Sequence, residues 1–281
     1  MHERAWPLQT ANPSVRSAMG CAVNPRQGQL VLVPNTLDLG TDHEVDLRDV
    51  LPHAVIARAA TLAHWVAENA KTTRALLKRV DRLVPLAQPL QLIQINELPR
   101  PAKGGGAAKA SAAGPDLKPL LAPALAGHDI GLLSEAGLPA VADPGAALVQ
   151  AAHALGIEVV PMAGPSALLL ALAASGLNGQ SFAFVGYLPV DGAARGTRIR
   201  ELDALSRRQG QTQIAIETPY RNDMLLAALI EHLQPATRLA VACGLTLPGA
   251  RCETRTVAAW RRQLAQPLGG RLPAVFSWLA G

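Results

Sequence analysis

Small turns rich in glycine, proline and serine follow five apolar runs of the sequence. The turns are Pro34-Asn35-Thr36-Leu37, Ser134-Glu135-Ala136-Gly137-Leu138-Pro139, Ala163-Gly164-Pro165-Ser166-Ala167, Gly186-Tyr187-Leu188-Pro189 and Glu217-Thr218-Pro219-Tyr220-Arg221. Ligands of open parallel sheets bind at the carboxyl ends of the strands, where such turns converge. Small side chains let main-chain N–H and C=O groups approach a ligand closely. The pattern therefore predicts one ligand site, contacted mainly by backbone groups.

Each of these segments also has a purely structural interpretation. Asp143 could cap the helix that follows it. Thr218-Pro219 is a typical helix start, and Gly164-Pro165-Ser166 could open a buried helix, although free N–H groups at such a start also hold carboxylates. Tyr187 could pack in the core or close over a ligand. The prediction of a ligand site therefore depends on all five turns occurring in chain order at strand ends.

Other catalytic and binding motifs are absent from the sequence. No G-x-G-x-x-G opens a helix after a strand, and neither G-x-x-x-x-G-K-[ST] nor a G-x-S-x-G elbow occurs. No pair among the 7 histidines has metal-ligand spacing, and the 3 cysteines include no C-x-x-C pair. We therefore expect no metal site, no disulfide framework and no acyl-enzyme.

Short apolar runs alternate with helical patterns, which predicts an α/β fold with parallel strands. In the first part of the chain, strands are predicted at 29–33, 54–57, 91–95, 130–133 and 158–161, and helices at 61–78, 144–155 and 166–175. After Asn178 the pattern restarts, with strands predicted at 181–187, 212–216, 239–243 and 272–276, and helices at 198–208, 221–232 and 257–264. Residues 159–190 carry no charge, but prolines and glycines interrupt them, so we predict a buried core helix rather than a membrane span.

The chain has 281 residues, which is enough for about two domains. We predict a flexible N-terminal extension at 1–28, an N-terminal α/β domain at 29–178 and a C-terminal α/β domain at 179–281. The first domain would contain a flexible loop at about 99–116, because that segment is rich in Gly, Ala, Lys and Pro and its apolar residues do not recur at the spacing of a helix or a strand.

The composition is that of a globular protein, with 49% hydrophobic and 17% charged residues. A net charge of +5 is compatible with a polyanionic partner without demonstrating one. Aromatic residues make up 3%, which argues against a surface built on base stacking. The first residues contain no apolar core of a secretory signal, so a cytoplasmic protein with no membrane association is expected.

The order of these motifs resembles the tetrapyrrole methylase superfamily, the class III S-adenosylmethionine-dependent methyltransferases. Three further motifs carry the resemblance: Ala140-Val141-Ala142-Asp143-Pro144-Gly145 directly after Pro139, Ala174-Ser175-Gly176-Leu177, and Phe182 before Gly186. The resemblance covers roughly residues 29–276 and is closest to the branch that includes the 16S rRNA ribose 2′-O-methyltransferase. It implies a mostly parallel N-terminal sheet, a mixed C-terminal sheet, S-adenosylmethionine in the cleft between the domains, and a homodimer.

By position, the resemblance assigns cofactor contacts to the strand-end turns. In the first domain these residues are Pro34, Ser134, Ala136, Gly137, Gly164, Pro165 and Ser166. The second domain adds Gly186, Tyr187 and Leu188, with Glu217, Thr218 and Pro219 nearby.

Two segments depart from the pattern of the ribose methyltransferases. Those enzymes usually carry Pro-Thr-Pro-Ile-Gly-Asn in the first turn, whereas this chain has Pro34-Asn35-Thr36-Leu37-Asp38-Leu39-Gly40. They carry Ala-Glu-Asp-Thr-Arg in the next element, whereas this chain has Ala67-Glu68-Asn69-Ala70-Lys71. Asn cannot accept a proton as Asp does, and Lys lacks the planar fork of Arg. The cofactor part of the pattern is therefore intact, while the part that would face the methyl acceptor is altered.

The sequence thus predicts an S-adenosylmethionine-dependent methyltransferase acting on RNA, as in rRNA ribose 2′-O-methylation. Glu68, Glu135 and Glu217 are candidates for the base that would remove a ribose proton, and the residues alone do not rank them. Basic residues that mildly favour RNA are Arg195, Arg198, Arg200, Arg207 and Arg208. The alternatives are a small-molecule methylase of tetrapyrrole type and a catalytically silent cofactor-binding regulator, the latter suggested by Asn69 and Lys71.

Overall fold

The computed structural model describes residues 27–38, 40–99, 116–262, 268 and 272–281. Most of the predicted extension at 1–28 and of the predicted loop at 99–116 lies outside these residues, as does the end of the predicted helix at 257–264. The described chain forms two five-stranded sheets flanked by helices. The predicted α/β fold, with a parallel sheet followed by a mixed one, is confirmed.

The first sheet is entirely parallel, with strand order β3-β2-β4-β1-β5. Its strands are β1 (Leu30–Leu32), β2 (His64–Ala67), β3 (Gln94–Glu97), β4 (Ile130–Leu133) and β5 (Val159–Pro161). The helices in this part of the chain are α1 (Leu47–Val50), α2 (His53–Thr61), α3 (Ala70–Asp81), α4 (Lys118–Leu125), α5 (Ala146–Ala154) and α6 (Ala167–Ser175). Every residue of β4 is buried, as expected where helices cover both faces of a parallel sheet.

Two predictions of elements in the first part are wrong, and a third is displaced, because the strand predicted at 91–95 begins in a 3₁₀ helix (Leu90–Leu92) and β3 follows at Gln94–Glu97. Residues 54–57, predicted as a strand, belong to α2, and the helix predicted at 61–78 contains β2 before α3 begins. In α2 the buried residues are Val55, Ile56, Ala59 and Ala60. Their helical spacing becomes visible only over a window longer than the four apolar residues on which the strand was predicted.

The second sheet has strand order β6-β7-β10-β8-β9. Its strands are β6 (Phe182–Tyr187), β7 (Thr212–Glu217), β8 (Arg238–Cys243), β9 (Arg251–Thr256) and β10 (Ala274–Leu279), and its helices are α7 (Gly192–Gln209), α8 (Asn222–His232) and α9 (Val257–Arg262). Only β6 and β7 pair in parallel within this sheet; the other described pairs are antiparallel. Helix α7 begins earlier than predicted, and β10 lies later than the strand predicted at 272–276.

Helix α6 packs on the second sheet although it follows the last strand of the first. Its buried residues share a core cluster with three strands of the second sheet: Leu168, Ala171 and Leu172 with Ile214, Ala242 and Val275. The Thr254 hydroxyl donates to the Ser175 carbonyl oxygen at 2.8 Å, and Gly176, with φ 66°, ends the helix. The helix therefore joins the two sheets, and the proposed domain boundary at 178–179 falls after it. Across the described ranges, no helix has both the length and the apolar character that crossing a membrane requires.

Asp143 does not cap α5, and the helix ends within one residue of the predicted bound at 155. Gly145 occupies the N-cap position with φ 134°, and no side chain caps the helix. Ala140 and Ala142 also have positive φ, so the chain turns twice before the helix begins and carries Asp143 away from its first N–H groups. Gly156, with φ 69°, provides the left-handed exit.

Candidate functional site

A cavity of about 430 Å³ lies between the two sheets. Its walls come from the carboxyl ends of β2, β4, β6, β7 and β8, from the amino end of the antiparallel strand β10, and from the start of α6. Volumes of roughly 300–1,000 Å³ are typical of small-molecule and cofactor sites. The strand-end turns predicted to converge on one ligand therefore surround a common cavity of suitable size.

Asn35 joins the turn after β1 to the turn after β4. Its backbone N–H donates to the Gly137 carbonyl oxygen at 2.9 Å, and its side-chain Nδ2 donates to the carbonyl oxygens of Ser134 (3.2 Å) and Glu135 (2.9 Å). Asn35 is buried, so this amide is engaged away from water. The two turns are thereby held as one unit at the edge of the cavity.

Gly164 packs directly against Pro34. A Cβ on Gly164 would lie 2.2 Å from the Pro34 Cβ, so only glycine lets the turns after β1 and β5 approach this closely. Neither residue lines the cavity. Both were predicted as cofactor contacts, and in the structure they support the turns that form the wall.

The predicted cofactor contacts divide into two groups. Those that line the cavity are Ala136, Gly137, Ser166, Tyr187, Glu217, Thr218 and Pro219. Those that lie behind the wall are Pro34, Ser134, Gly164, Pro165, Gly186 and Leu188. Leu188, for example, is buried in the core beneath α7 and α8. Gly186 has φ 72° and lies at an irregularity in the pairing of β6 with β7, so its role is to bend the strand beside Tyr187.

Much of the apolar wall could not be predicted from the sequence. The lining residues that were not assigned there are Leu37, Leu138, Val141, Ala142, Ala167, Leu168, Ile216, Ala242, Gly244, Leu245, Pro273, Ala274 and Val275. One signal was present in the sequence, because Gly244 directly follows β8 and has φ 60°, which makes it a sixth small turn at a strand end. Leu37, Leu138 and Ala167 belong to turns predicted to converge on the ligand, and the remaining residues are ones that only the tertiary structure brings to the cavity.

Four carboxylates line the cavity, and three of them already have hydrogen-bond partners. Glu68 accepts the Glu135 backbone N–H at 3.1 Å. Glu135 accepts from Asn69 Nδ2 at 2.8 Å and from the Thr72 hydroxyl at 3.4 Å. Glu217 accepts the Thr218 N–H at 2.8 Å and pairs with Arg221 at 3.2 Å. The fourth carboxylate, Asp143, forms no hydrogen bond or ion pair with any described residue.

The electrostatic environment of Glu68, Glu135 and Asp143 is negative, whereas Glu217 is paired with Arg221. No lysine, arginine or histidine is among the described residues of the cavity wall. Burial, together with the negative charges of Glu68 and Glu135, raises the pKa of Asp143 to about 7. Burial and the charges of Asp143, Glu217 and Glu68 raise the pKa of the Tyr187 hydroxyl. Among the described residues, no group of three or more His, Cys, Asp or Glu side chains is arranged to hold a metal ion.

Asn69, which stands where the ribose methyltransferases usually carry Asp, has a defined structural role. Its Oδ1 accepts the N–H groups of Lys71 and Thr72 and caps α3, while its Nδ2 holds Glu135. A carboxylate cannot donate such a hydrogen bond unless it is protonated. The amide therefore keeps Glu135 in place without adding another negative charge beside it.

A buried ion pair supports the turn after β1. Arg79 of α3 contacts Asp38 at 3.2 Å, and the two side chains are 13% and 8% exposed. Arg79 also donates to the Val45 carbonyl oxygen at 2.5 Å, and the Thr36 hydroxyl donates to Asp38. Burial acts to raise the pKa of Asp38, but hydrogen bonds from the Thr36 hydroxyl, the Val45 N–H (3.0 Å) and Arg79, together with the guanidinium charge, outweigh burial and leave the pKa below its ordinary value. The pair fixes the segment next to Leu37, which lines the cavity.

The fold and the cavity place this chain in a class of α/β proteins in which an acidic cavity lies between a parallel and a mixed sheet. Within that class, the family model Tetrapyrrole (Corrin/Porphyrin) Methylases matches residues 54–259. The chain belongs to this family, which confirms the resemblance drawn from the strand-end turns.

Curated relatives share part of their length with this chain. Ribosomal RNA small subunit methyltransferase I of Mesorhizobium japonicum is 41% identical over 150 residues, which are 53% of this chain and 49% of the relative. The protein of the same name from Pseudomonas aeruginosa is 43% identical over 95 residues, 34% of this chain and 32% of the relative. The chain thus aligns with half or less of the length of these relatives. A solved structure, uroporphyrin-III-C-methyltransferase from Thermus thermophilus, covers 90% of this chain and 92% of its own with a TM-score of 0.44 and 19% identity.

Proposed function

We propose that this protein is an S-adenosylmethionine-dependent methyltransferase that acts on ribosomal RNA. Its membership in a methylase family supports methyl transfer, and the names of its curated relatives support rRNA as the acceptor. The observation that carries the proposal is the acidic cavity formed by the strand-end turns, because that cavity suits a cationic cofactor.

The residues of the cavity fit S-adenosylmethionine in charge and in shape. The cofactor carries a positive sulfonium and an ammonium group, and the wall offers Glu68, Glu135, Asp143 and Glu217 but no described cation. Ser166 makes no side-chain cap bond at the start of α6, so the N–H groups of Ala167 and Leu168 are available for the cofactor's carboxylate. Ala136 and Gly137 bring backbone groups to the same wall, and the apolar lining suits the remaining parts of the ligand.

When bound, the cofactor would supply a methyl group on a sulfonium, and the protein's contribution would be alignment and the exclusion of water. Gly137 and Ala136 would position the cofactor through the backbone, with Glu217, Thr218 and Pro219 on the opposite wall. Leu37, Val141 and Leu245 provide apolar surface that limits access of water. The half-exposed ring of Tyr187 stands at the cavity and would cover a bound ligand.

The surface of α7 is the proposed contact with RNA. The structure reduces the number of arginines on this helix that could contact phosphate groups. Arg195 is buried and donates to the Pro189 and Val190 carbonyl oxygens, so it stabilises the turn before α7. Arg198 pairs with Glu201 at 3.2 Å. Arg200, Arg207 and Arg208 are exposed and lie along one surface groove. These three arginines are the candidates for phosphate contacts.

We expect the triple variant Arg200→Ala/Arg207→Ala/Arg208→Ala to bind 16S rRNA fragments more weakly while its cofactor affinity is unchanged. The dependence of log K on log salt should also become shallower, by up to about 0.9 for each duplex phosphate that these arginines neutralise. Filter binding at several salt concentrations measures both effects. The control is the triple variant Arg48→Ala/Arg74→Ala/Arg82→Ala, which removes the same charge from exposed positions on or beside other helices. An equal loss of affinity in the control would assign the effect to net charge rather than to α7.

A homodimer in the cytoplasm completes the proposal. Exposed apolar side chains occur on the edge strand β6 and on α6: Phe182, Phe184, Leu169 and Leu170. Exposed apolar groups of this kind mark interaction surfaces when they are contiguous. A second copy of the chain is the occupant that the family resemblance implies, and the proposed rRNA substrate supports a cytoplasmic location.

The proposal is tested by calorimetry with S-adenosylmethionine and by transfer of a tritiated methyl group onto rRNA. We expect stoichiometric binding and transfer to 16S rRNA, with a methyl group missing from the rRNA of cells that lack the protein, as seen by mass spectrometry. Binding with transfer to a tetrapyrrole would identify the small-molecule methylase instead. Binding with transfer to neither acceptor would identify the regulator, and absence of binding would reject the proposal.

A further inference from the structure

Asp143 is the cavity carboxylate that the protein leaves without a partner among the described residues. The other three, Glu68, Glu135 and Glu217, are held by hydrogen bonds from the backbone or from neighbouring side chains. Asp143 forms no such contact with any described residue although it lines the cavity. Buried polar groups are normally hydrogen-bonded, so a partly buried carboxylate that lines the cavity with no partner among the described residues is a candidate to contact the ligand.

From this arrangement we propose that Asp143 is the group that accepts the proton of the methyl acceptor's hydroxyl. This inference rests on the proposed function, and it selects a residue outside the three carboxylates considered from the sequence. Those three are poorly suited to the task, because protonation of Glu68, Glu135 or Glu217 would weaken the hydrogen bonds that hold the wall of the cavity.

The step balances without a further reactant. The hydroxyl oxygen forms a bond to the methyl carbon, the bond between that carbon and sulfur breaks, and its electron pair stays on sulfur as a neutral thioether. The hydroxyl proton passes to the Asp143 carboxylate, which releases it to water after the product leaves. The net products are a methyl ether, the thioether and a protonated carboxyl group.

Burial first, and then the negative charges around it, make the Asp143 carboxylate a stronger base than an ordinary aspartate. Glu68 from the end of β2 and Glu135 from the turn after β4 act on it directly. Glu217 from the end of β7 and the Tyr187 hydroxyl from the end of β6 line the same cavity, and the Arg221 guanidinium is already paired with Glu217. The resulting pKa of about 7 is close to working pH, where general bases are most effective. A bound sulfonium cation would lower this pKa.

The test is the pH dependence of single-turnover methyl transfer at saturating S-adenosylmethionine and rRNA. In the wild type we expect the rate to rise with pH through an apparent pKa at or somewhat below about 7. Asp143→Asn should lower the plateau rate at least about 100-fold, which is the lower end of general-base contributions, and should abolish this rise. Its affinity for S-adenosylmethionine by calorimetry should fall by no more than about threefold, because one of four cavity carboxylates contributes modestly to binding of the cation whereas proton acceptance acts on the transition state.

A second variant tests the same inference without altering Asp143. Glu68→Gln keeps an oxygen that can accept the Glu135 N–H but removes one of the charges that raise the Asp143 pKa. The rise in rate should therefore shift to lower pH. Asp49→Asn, an exposed substitution on α1 outside the cavity, should leave the profile unchanged.

Three outcomes would overturn the inference. The first is that Asp143→Asn retains the wild-type rate. The second is that Asp143→Asn loses cofactor affinity more than tenfold with the rate retained, which would make Asp143 a ligand for the cofactor's ammonium. The third is that Glu68→Gln leaves the dependence of the rate on pH unchanged. Failure of the proposed function is distinguishable from all three, because the wild type itself would then neither bind S-adenosylmethionine nor methylate rRNA.

Discussion

Replacing Gly137 with valine is expected to weaken S-adenosylmethionine binding by at least about 100-fold while the protein still unfolds cooperatively. Gly137 lines the cavity with φ 67°, and a Cβ there would contact Leu37 at 3.4 Å and the Pro165 carbonyl oxygen at 3.5 Å. There is room for one carbon but not for the two further methyl groups of valine, which would displace Leu37 or enter the cavity. A residue forced into this backbone region costs of order 1–3 kcal/mol, so a moderate loss of stability should accompany the loss of binding.

A matched control separates backbone strain from obstruction of the cavity. Gly156 has nearly the same φ, 69°, but nothing lies within 4 Å of a Cβ built on it. Gly156→Val should therefore lose stability without losing affinity for S-adenosylmethionine in calorimetry. If Gly137→Val binds the cofactor as the wild type does, the turn after β4 does not contact the cofactor, and the proposed site is misplaced.

The elements that could be predicted from sequence are those whose burial shows in a local pattern. The strand predicted at 130–133 has the same bounds as β4, because four consecutive apolar or glycine residues between polar turns are typical of a strand buried on both faces. The strand β9 could not be predicted, because its sequence, Arg-Cys-Glu-Thr-Arg-Thr, is that of a polar edge strand. The strand β2 could not be predicted either, because its buried residues Trp65 and Val66 also fit one face of the helix predicted at 61–78.

The site could be predicted only in its backbone part. Glycines such as Gly137 and small turns at strand ends are local features, and the sequence displays them directly. Contacts between distant turns are not local: Asn35 reaches Gly137, and the raised pKa of Asp143 depends on its burial and on the charges of Glu68 and Glu135. Asp143 was consequently interpreted as a helix cap, which is the common role of an aspartate before Pro-Gly, whereas the tertiary arrangement places it in the cavity.

The same limit applies to Arg79, whose replacement by methionine is expected to destabilise the protein by about 3–5 kcal/mol at neutral pH. Removing one partner of a buried ion pair leaves the other charge uncompensated, and the Asp38 side chain is only 8% exposed. In the wild type the Asp38 pKa lies below its ordinary value, so the carboxylate contributes stability above the unfolded-state pKa of about 3.9 and loses it as pH falls through the folded-state pKa. Without the guanidinium that pKa rises from its wild-type value, because burial is then opposed only by the hydrogen bonds from Thr36 and Val45. The deficit of Arg79→Met should therefore be largest at pH 7 and shrink toward pH 4.

Urea unfolding followed by circular dichroism at pH 7 and pH 4 measures this deficit. The double variant Asp38→Asn/Arg79→Met should recover part of the lost stability, because it removes the uncompensated charge rather than adding a second defect. Arg82→Met serves as the control, since Arg82 lies at the end of the same helix but pairs with Glu44 in an exposed position, where ion pairs contribute little. Because Asp38 adjoins Leu37 in the cavity wall, Arg79→Met should also weaken cofactor binding at pH 7. A variant as stable as the wild type at both pH values would show that the turn after β1 is held without the ion pair between Arg79 and Asp38.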